Sequence, residues 1–379
     1  MRLLFFSPYY YPYISGLTTY PFKILKYLAK NNEITVLTFP HNEKVKRKEK
    51  MDGYTIKRLP YLFKISKGFI SPQSLYYFLK ESLRSDVIIL NQPNFEGLCL
   101  AIIGVLLRKK IISLFHCKLH LSGNIFSKFI NVMVDVSVFI QLSLSTSIIG
   151  YTKDYVSSIW MMRFFKDKTK FTLPPIEKLT PDKKFELQLL KEKSDKVWIG
   201  FAGRIAQEKG LEYLIDAMRG MKNTELILAG PYGKDVAGEN SYYQHILSLL
   251  QQSNTPHRFL GNLRGCQLGT FYKVIDVLIL PSINQTEAFG MVQAESMMSG
   301  TPVIASNLPG VRVPIRLTKM GLLVEPKNSQ QLKDAIKKIL ADKLTYSSET
   351  LHWNAEKIFD IKKVFRFYLD LSNRFLIKM

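Results

Sequence analysis

The sequence predicts an α/β protein built from two consecutive, doubly wound, parallel-sheet domains. Short β-branched or aromatic runs alternate with longer amphipathic stretches, the pattern of βαβ units. That alternation runs through twice, interrupted by a polar, Lys- and Glu-rich stretch at residues 177–196. The 379 residues exceed one ordinary core and suit two domains of roughly 150–200 residues.

In the first series, Arg2–Ser7 reads as a strand and Leu17–Lys30 as a helix with apolar positions at helical spacing. Strands follow at Glu33–Phe39, Asp86–Leu90 and Lys110–Phe115, the last two each after a helical stretch, then at Ser147–Gly150 and Lys170–Leu173. Residues Glu177–Lys196 carry few apolar anchors and read as a solvated connection. In the second series, strands are expected at Val197–Ala202, Thr224–Ala229, Arg258–Leu260, Asp276–Leu280, Pro302–Ala305 and Gly321–Val324. Helices are expected at Gly210–Met218, Tyr242–Gln252, Leu268–Val274, Met291–Ser299 and Gln330–Leu340, with a basic amphipathic helix from Ile361 to Met379.

Composition narrows the class. Hydrophobic residues at 46% and charged residues at 22% are globular values and exclude disorder and collagen-like repeats. The three cysteines, Cys99, Cys117 and Cys266, are scattered and lack CxxC spacing, which argues against a disulfide framework or a Cys-rich zinc site and suits a cytoplasmic chain. The net charge of +22 implies an anionic partner. Residues 1–190 hold 28 basic and 13 acidic side chains, a net of +15, so the first half is the more basic. Without a helix-turn-helix cue, zinc-finger spacing or RNP-like aromatic motif, nucleic acid is not the expected partner, and anionic membrane or phosphorylated ligands fit at least as well.

The first strand has only four apolar residues before Ser7-Pro8, short of a signal-peptide core of about 7–15. Residues Leu98–Leu107 are far short of the roughly 20 a spanning helix needs. The stretch from Phe129 to Gly150 has the length, but Asp135, Gln141 and several Ser/Thr residues interrupt it, so it reads as a buried helix followed by a strand.

Chemistry is expected beyond the carboxyl ends of the strands. Residues 281–295 follow an apolar strand and open a helix. Gly290 permits a tight turn, leaving the amides of Met291 and Val292 as first-turn donors that suit a phosphate. Glu287, before the turn, and Glu295, on the helix, are placed to accept hydrogen bonds from vicinal hydroxyls, or simply to stabilise a helix N-terminus. Residues 200–210 also end a strand and open a helix. There Arg204 offers a bidentate fork and Lys209 a compact charge, a pairing suited to a diphosphate. His116 follows the strand Ile111–Phe115, and Pro12–Gly16 links the first strand to the first helix.

Together these segments resemble the retaining glycosyltransferases of the GT-B fold, specifically glycosyltransferase family 4, the group 1 glycosyltransferases. The resemblance runs in order through Gly16, His116, Thr172–Ile176, Gly203-Arg204 with Lys209-Gly210, and Leu228-Ala229-Gly230. It continues through Phe259-Leu260-Gly261, Pro281-Ser282, Glu287 with Glu295 around Phe289-Gly290, and Gly300–Ala305. It implies two Rossmann-like domains facing each other across a cleft. Residues 1–190 would bind the acceptor, 191–355 the nucleotide sugar, and a helix at 356–379 would pack back on the first domain. Arg204 and Lys209 look like the clamp on the donor diphosphate and Glu295 like the carboxylate on the ribose. Glu287, with the backbone of Ala288, Phe289 and Gly290, looks like the grip on the sugar. His116 resembles the residue beside the transferred sugar and Gly16 the close approach to phosphate. Ser15, Cys117 and Ile176 depart from the family's pattern, and they fall in or beside the acceptor-side domain.

The implied activity is retaining transfer of a hexose from a UDP- or GDP-sugar to a hydroxyl of a glycan or lipid-linked acceptor, with no cofactor and no metal. A sugar-nucleotide 2-epimerase of the same fold and a non-enzymatic basic binding protein are the alternatives. The Lys44–Lys50 run and the interleaved aromatics and cations of Ile159–Lys166 suit a peripheral position on an anionic, cytosolic membrane face, or else a solvated loop and a core-facing helix.

Overall fold

The computed structural model describes residues 1–13, 15–42, 44–65, 68–119, 125–236 and 238–376. The chain divides into two compact units. One comprises Met1–Pro175 with Lys362–Met379, the other Ile176–Ile361.

The first unit opens with β1 (Arg2–Phe6), α1 (Gly16–Leu28), β2 (Glu33–Thr38), β3 (Lys48–Met51) and β4 (Tyr54–Arg58). A hairpin of β5 (Phe63–Ile65) and β6 (Gly68–Ile70) precedes α2 (Ser74–Arg84), β7 (Val87–Gln92), α3 (Gly97–Leu106) and β8 (Lys110–Phe115). Then come α4 (Ile125–Leu144), β9 (Ser147–Gly150), α5 (Lys153–Ser158), a 3-10 segment at Trp160–Lys168 and β10 (Thr169–Phe171). Eight of these strands form one sheet in the order β10-β9-β8-β7-β1-β2-β4-β3. It is parallel except where β3 runs antiparallel to β4. Its central strands are apolar through their middles, as strands covered on both faces are: Leu4, Phe5, Phe6, Ile88 and Leu90 are fully buried. Each such side chain contributes about 1.5–3 kcal/mol over an exposed one.

The second unit contains α6 (Lys183–Lys193), β11 (Val197–Ala202), α7 (Leu211–Met218), β12 (Thr224–Ala229), α8 (Asn240–Gln252) and β13 (His257–Gly261). It continues with α9 (Gly265–Val274), β14 (Val277–Leu280), α10 (Met291–Met297), β15 (Val303–Ser306), α11 (Val313–Thr318), β16 (Gly321–Val324) and α12 (Ser329–Ala341). Two short helices, α13 (Lys343–Ser347) and α14 (Glu349–Ile358), close it. The wholly parallel sheet runs β13-β12-β11-β14-β15-β16. Ile199, Phe201, Leu214, Leu226 and Ile336 lie in its core.

The last helix, α15 (Ile361–Leu376), places Val364, Tyr368 and Leu371 on one buried face. It docks on α1, with Tyr368 Oη 2.6 Å from Tyr20 Oη and Phe365 stacked on Tyr27. Residues 377–379 of the expected C-terminal helix lie outside the described residues.

Three expectations need correction. The stretch 177–196 is not merely a solvated connection. It holds α6, capped by the Asp182 carboxylate, which accepts from the amides of Lys184 and Phe185. The helix packs against α9 but buries only Leu189, so its composition stays polar. The Lys44–Lys50 run is partly β3, an edge strand, where lysines block further strand pairing. The helix read as buried within Phe129–Gly150 starts earlier, at Ile125, and only one face is covered. Val134, Val138 and Leu142 are buried while Phe129, Val132, Met133 and Val136 are exposed.

Candidate functional site

In the second unit the chain leaves β11 toward β12 on one side and later reaches β14 on the other. The carboxyl ends of β11 and β14 therefore flank the point where the winding reverses, the place where open α/β sheets bind ligands. The two loops there are joined. The Ile283 amide donates to the Glu208 carbonyl oxygen at 3.0 Å. Gly210, at φ +64°, lies so close that an added Cβ would sit 2.5 Å from the Pro281 carbonyl oxygen. Only glycine meets both the left-handed backbone and that approach.

This junction brings Lys209 and Glu287 into an ion pair, with side chains 15% and 17% exposed. Glu287 Oε2 takes the Lys209 ammonium and its Oε1 accepts from the Gly290 amide at 3.0 Å. The carboxylate thus links the β11 loop to the turn that opens α10. Gly290 has φ +73° and caps α10 without a side-chain hydrogen bond. Beside the turn, Gln293 Nε2 donates to the carbonyls of Phe289 and Val311, each at 2.9 Å. Ala288 and Phe289 are buried, while Met291 and Val292 are half-buried at the helix start.

Arg204 reaches Glu208 at 2.8 Å, yet 44% of its side chain is exposed. An ion pair so open contributes little to stability, so the guanidinium can be exchanged to an incoming anion at small cost. On α10, Glu295 accepts from Tyr272 Oη at 2.8 Å. Burial foremost, then the Glu295 charge, raises the Tyr272 pKa well above the usual phenol value, so its hydroxyl remains a donor. Arg204, Lys209, Glu287 to Val292 and Glu295 fall within this unit, on the loops after β11 and β14 and on α10, whereas Gly16 and His116 lie in the first unit.

In the first unit the winding reverses between β1 and β7. His116, just after β8, is 2% exposed. Asn91 Nδ2 donates to Ser7 Oγ and to the Leu17 carbonyl, each at 3.0 Å, which leaves Asn91 Oδ1 as acceptor for His116 Nε2–H at 2.5 Å. His116 Nδ1 then accepts from the Tyr151 hydroxyl. Desolvation lowers the His116 pKa to about 3, so the ring is neutral and serves as a hydrogen-bonding group rather than a proton exchanger near neutrality. Asn91 also ties this cluster to the start of α1, where Gly16 is exposed and the Ser15 amide donates to Thr18 Oγ1 at 2.8 Å. Residue 14 of the Pro12–Gly16 loop lies outside the described residues.

Sequence reasoning missed the residues that hold the others. Asn91 and Tyr151 set the His116 tautomer, Tyr272 orients Glu295, and Gln293 clamps the turn. A polar Asn91-Gln92 pair closing an apolar strand run is a legible signal, whereas Tyr272 and Gln293 look like ordinary helix residues. Among the described residues no three His, Cys, Asp or Glu side chains gather as metal ligands.

Residues 182–357 match the family model described as glycosyl transferases group 1. Over its whole length the chain is similar to sucrose-phosphate synthase from Thermosynechococcus elongatus, with a TM-score of 0.80 at 19% identity and 100% of each chain covered. The fold is GT-B. The GT-B chain is likewise similar to Anabaena HepE in complex with UDP-glucose, with a TM-score of 0.79 at 17% identity, covering 99% of this chain and 100% of that one. In sequence it is 33% identical over 153 residues to an uncharacterized glycosyltransferase of Methanocaldococcus jannaschii, 39% of this chain and 37% of that relative. The chain thus spans well under half the length of that curated relative, and the stretch that matches the family model lies within the second unit.

Proposed function

We propose that this GT-B chain is a retaining hexosyltransferase using a UDP- or GDP-sugar donor. The observation that carries the reading is the Lys209–Glu287 pair joined to the Gly290 turn, with the open Arg204 fork on the same loop as Lys209. Two cations on the one loop after β11 suit a diphosphate, and the carboxylates of Glu287 and Glu295 suit sugar and ribose hydroxyls. The likeness to a structure holding UDP-glucose supports a uridine nucleotide among the donors.

In the step envisaged, the bond from the anomeric carbon to the leaving diphosphate oxygen breaks. A new bond forms on the same face to the acceptor hydroxyl oxygen, whose proton passes to the departing phosphate oxygen. Arg204 and Lys209 stabilise the charge that develops on that diphosphate, and a divalent cation is not needed for it. His116, neutral and fixed by Asn91 and Tyr151, serves to position rather than to exchange a proton. The acceptor is a glycan or lipid-linked hydroxyl presented at the cytosolic face of a membrane, in keeping with the net +15 over residues 1–190.

Mass spectrometry of products from a panel of nucleotide sugars, with a membrane lipid extract as acceptor source, tests this reading. A product heavier by one hexose is expected. Release of free sugar from every donor, with no adduct, would point instead to hydrolysis or epimerisation.

A further inference from the structure

We infer that the outer face of α2, α3 and α4, with the adjoining 3-10 segment, is a docking surface for an anionic lipid bilayer. The inference deepens the reading of a membrane-held acceptor and rests on it for its purpose, but its geometry stands on the first unit alone.

Helix α4 is apolar on two faces. Val134, Val138 and Leu142 face inward, while Phe129, Val132, Met133, Val136 and Ile140 recur at helical spacing on the outside, each more than a third exposed. The helix is long and apolar enough to cross a membrane, but its inner face is packed against α3 and β8, so it lies along the unit's surface. Its neighbours repeat the pattern. On α3, which packs beside α4, Ile102, Val105 and Leu106 are exposed. On α2, which packs beside α3, Leu75, Leu79 and Leu83 are exposed. The 3-10 segment adds Trp160 and Phe164, 64% and 56% exposed, with Phe164 edge-on to Phe139 of α4. Three adjacent helices and a flanking turn therefore present large apolar side chains to the outside. A contiguous face of this kind marks a binding surface, not the scattered exposure of ordinary monomers.

Charge decides the occupant. Arg84, Arg108, Lys128, Arg163 and Lys166 are exposed on or beside these elements. The Arg163 guanidinium lies 4.9 Å from the Trp160 ring and 5.1 Å from that of Phe164, cation and aromatics together. The acidic side chains nearby are mostly neutralised: Glu81 is buried on Lys57 at 2.7 Å and Asp135 is paired with Lys118 at 3.0 Å, leaving Asp167 exposed. An apolar face rimmed by cations, with aromatics at its margin, complements the acyl and phosphate levels of an anionic interface. A second copy of the same face would instead set cation against cation.

The test is flotation of the full-length protein with vesicles of phosphatidylcholine alone and of phosphatidylcholine mixed with phosphatidylglycerol. The wild type should float with the mixed vesicles and less at high salt. Phe129→Asp with Val136→Asp should cut the floating fraction about tenfold, and Lys128→Glu with Arg163→Glu should do so for the mixed vesicles. Both substitution pairs lie on exposed positions, so melting temperature and UDP affinity should stay at wild-type values. A wild type that stays with neither vesicle, variants that float as well as the wild type, or a Phe129→Asp/Val136→Asp protein whose change is only from oligomer to monomer would each overturn the inference. Failure of the wild type to bind any nucleotide would defeat the transferase reading while leaving a positive flotation result intact.

Discussion

Glu287 holds Lys209 with one carboxylate oxygen and the Gly290 amide with the other, although Lys209 lies 78 positions earlier in the chain. The pairing exists because β11 and β14 are hydrogen-bonded neighbours whose following loops touch.

The turn at Gly290 should be intolerant of any side chain. A Cβ there would fall 2.4 Å from Leu280 Cδ2 and 2.7 Å from Gln293 Nε2, at φ +73°. Gly290→Ala should therefore cost about 1–3 kcal/mol, read as a lowered denaturation midpoint. An unchanged midpoint would mean that the turn is not built as described.

Glu287 and Glu295 should separate by role. Glu295→Gln should weaken binding of the nucleotide alone, whereas Glu287→Gln should spare it and lower turnover. Because Tyr272 Oη donates to Glu295, Tyr272→Phe should weaken nucleotide binding about three- to tenfold and should not add to Glu295→Gln in a double-mutant cycle. Full additivity would break the link between Tyr272 and Glu295.

The strands of the second unit are legible in the sequence because strands buried on both faces read as near-continuous apolar runs, as in Val197–Ala202 and Leu226–Ala229 of β12. β3 is not legible, since an edge strand at Lys48–Met51 uses charge where a central strand uses valine. α6 escapes notice because one leucine anchors it. The outward face of α4 escapes for the opposite reason: both its faces are apolar, and periodicity then cannot tell covered from bare. At the site, residue types and loop positions are readable, but partners such as Asn91 for His116 and Tyr272 for Glu295 follow only from strand order and helix packing.

Acid should destabilise the fold through His116. Its folded pKa, about 3, lies below the ordinary 6.5, so the unfolded chain binds the extra proton. Stability from this group is complete above 6.5 and is lost as pH falls toward 3, by up to about 1.4 kcal/mol per pH unit. Buried Glu96, raised to about 7 mainly by desolvation, acts oppositely: its contribution is present below 4.5 and is lost as pH rises toward 7. The readout is therefore the difference between wild type and His116→Gln, in which Glu96 cancels. Denaturant titrations should show a flatter acid limb in the variant, and parallel limbs would refute the neutral, buried assignment.

Transfer should persist in EDTA. In the proposed reaction Arg204 and Lys209 would supply the positive charge at the leaving group that a divalent ion would otherwise provide. Loss of product on chelation, restored by magnesium or manganese, would overturn this.

In the proposed function the joined loops after β11 and β14 bind a nucleoside diphosphate through Arg204 and Lys209. Isothermal titration of UDP and GDP into the wild type, Arg204→Ala and Lys209→Ala tests it most directly. Saturable binding of at least one nucleotide by the wild type is expected, with each substitution weakening it by about 1.5–3 kcal/mol as charge-assisted bonds are lost. Equal affinity in all three proteins would contradict it.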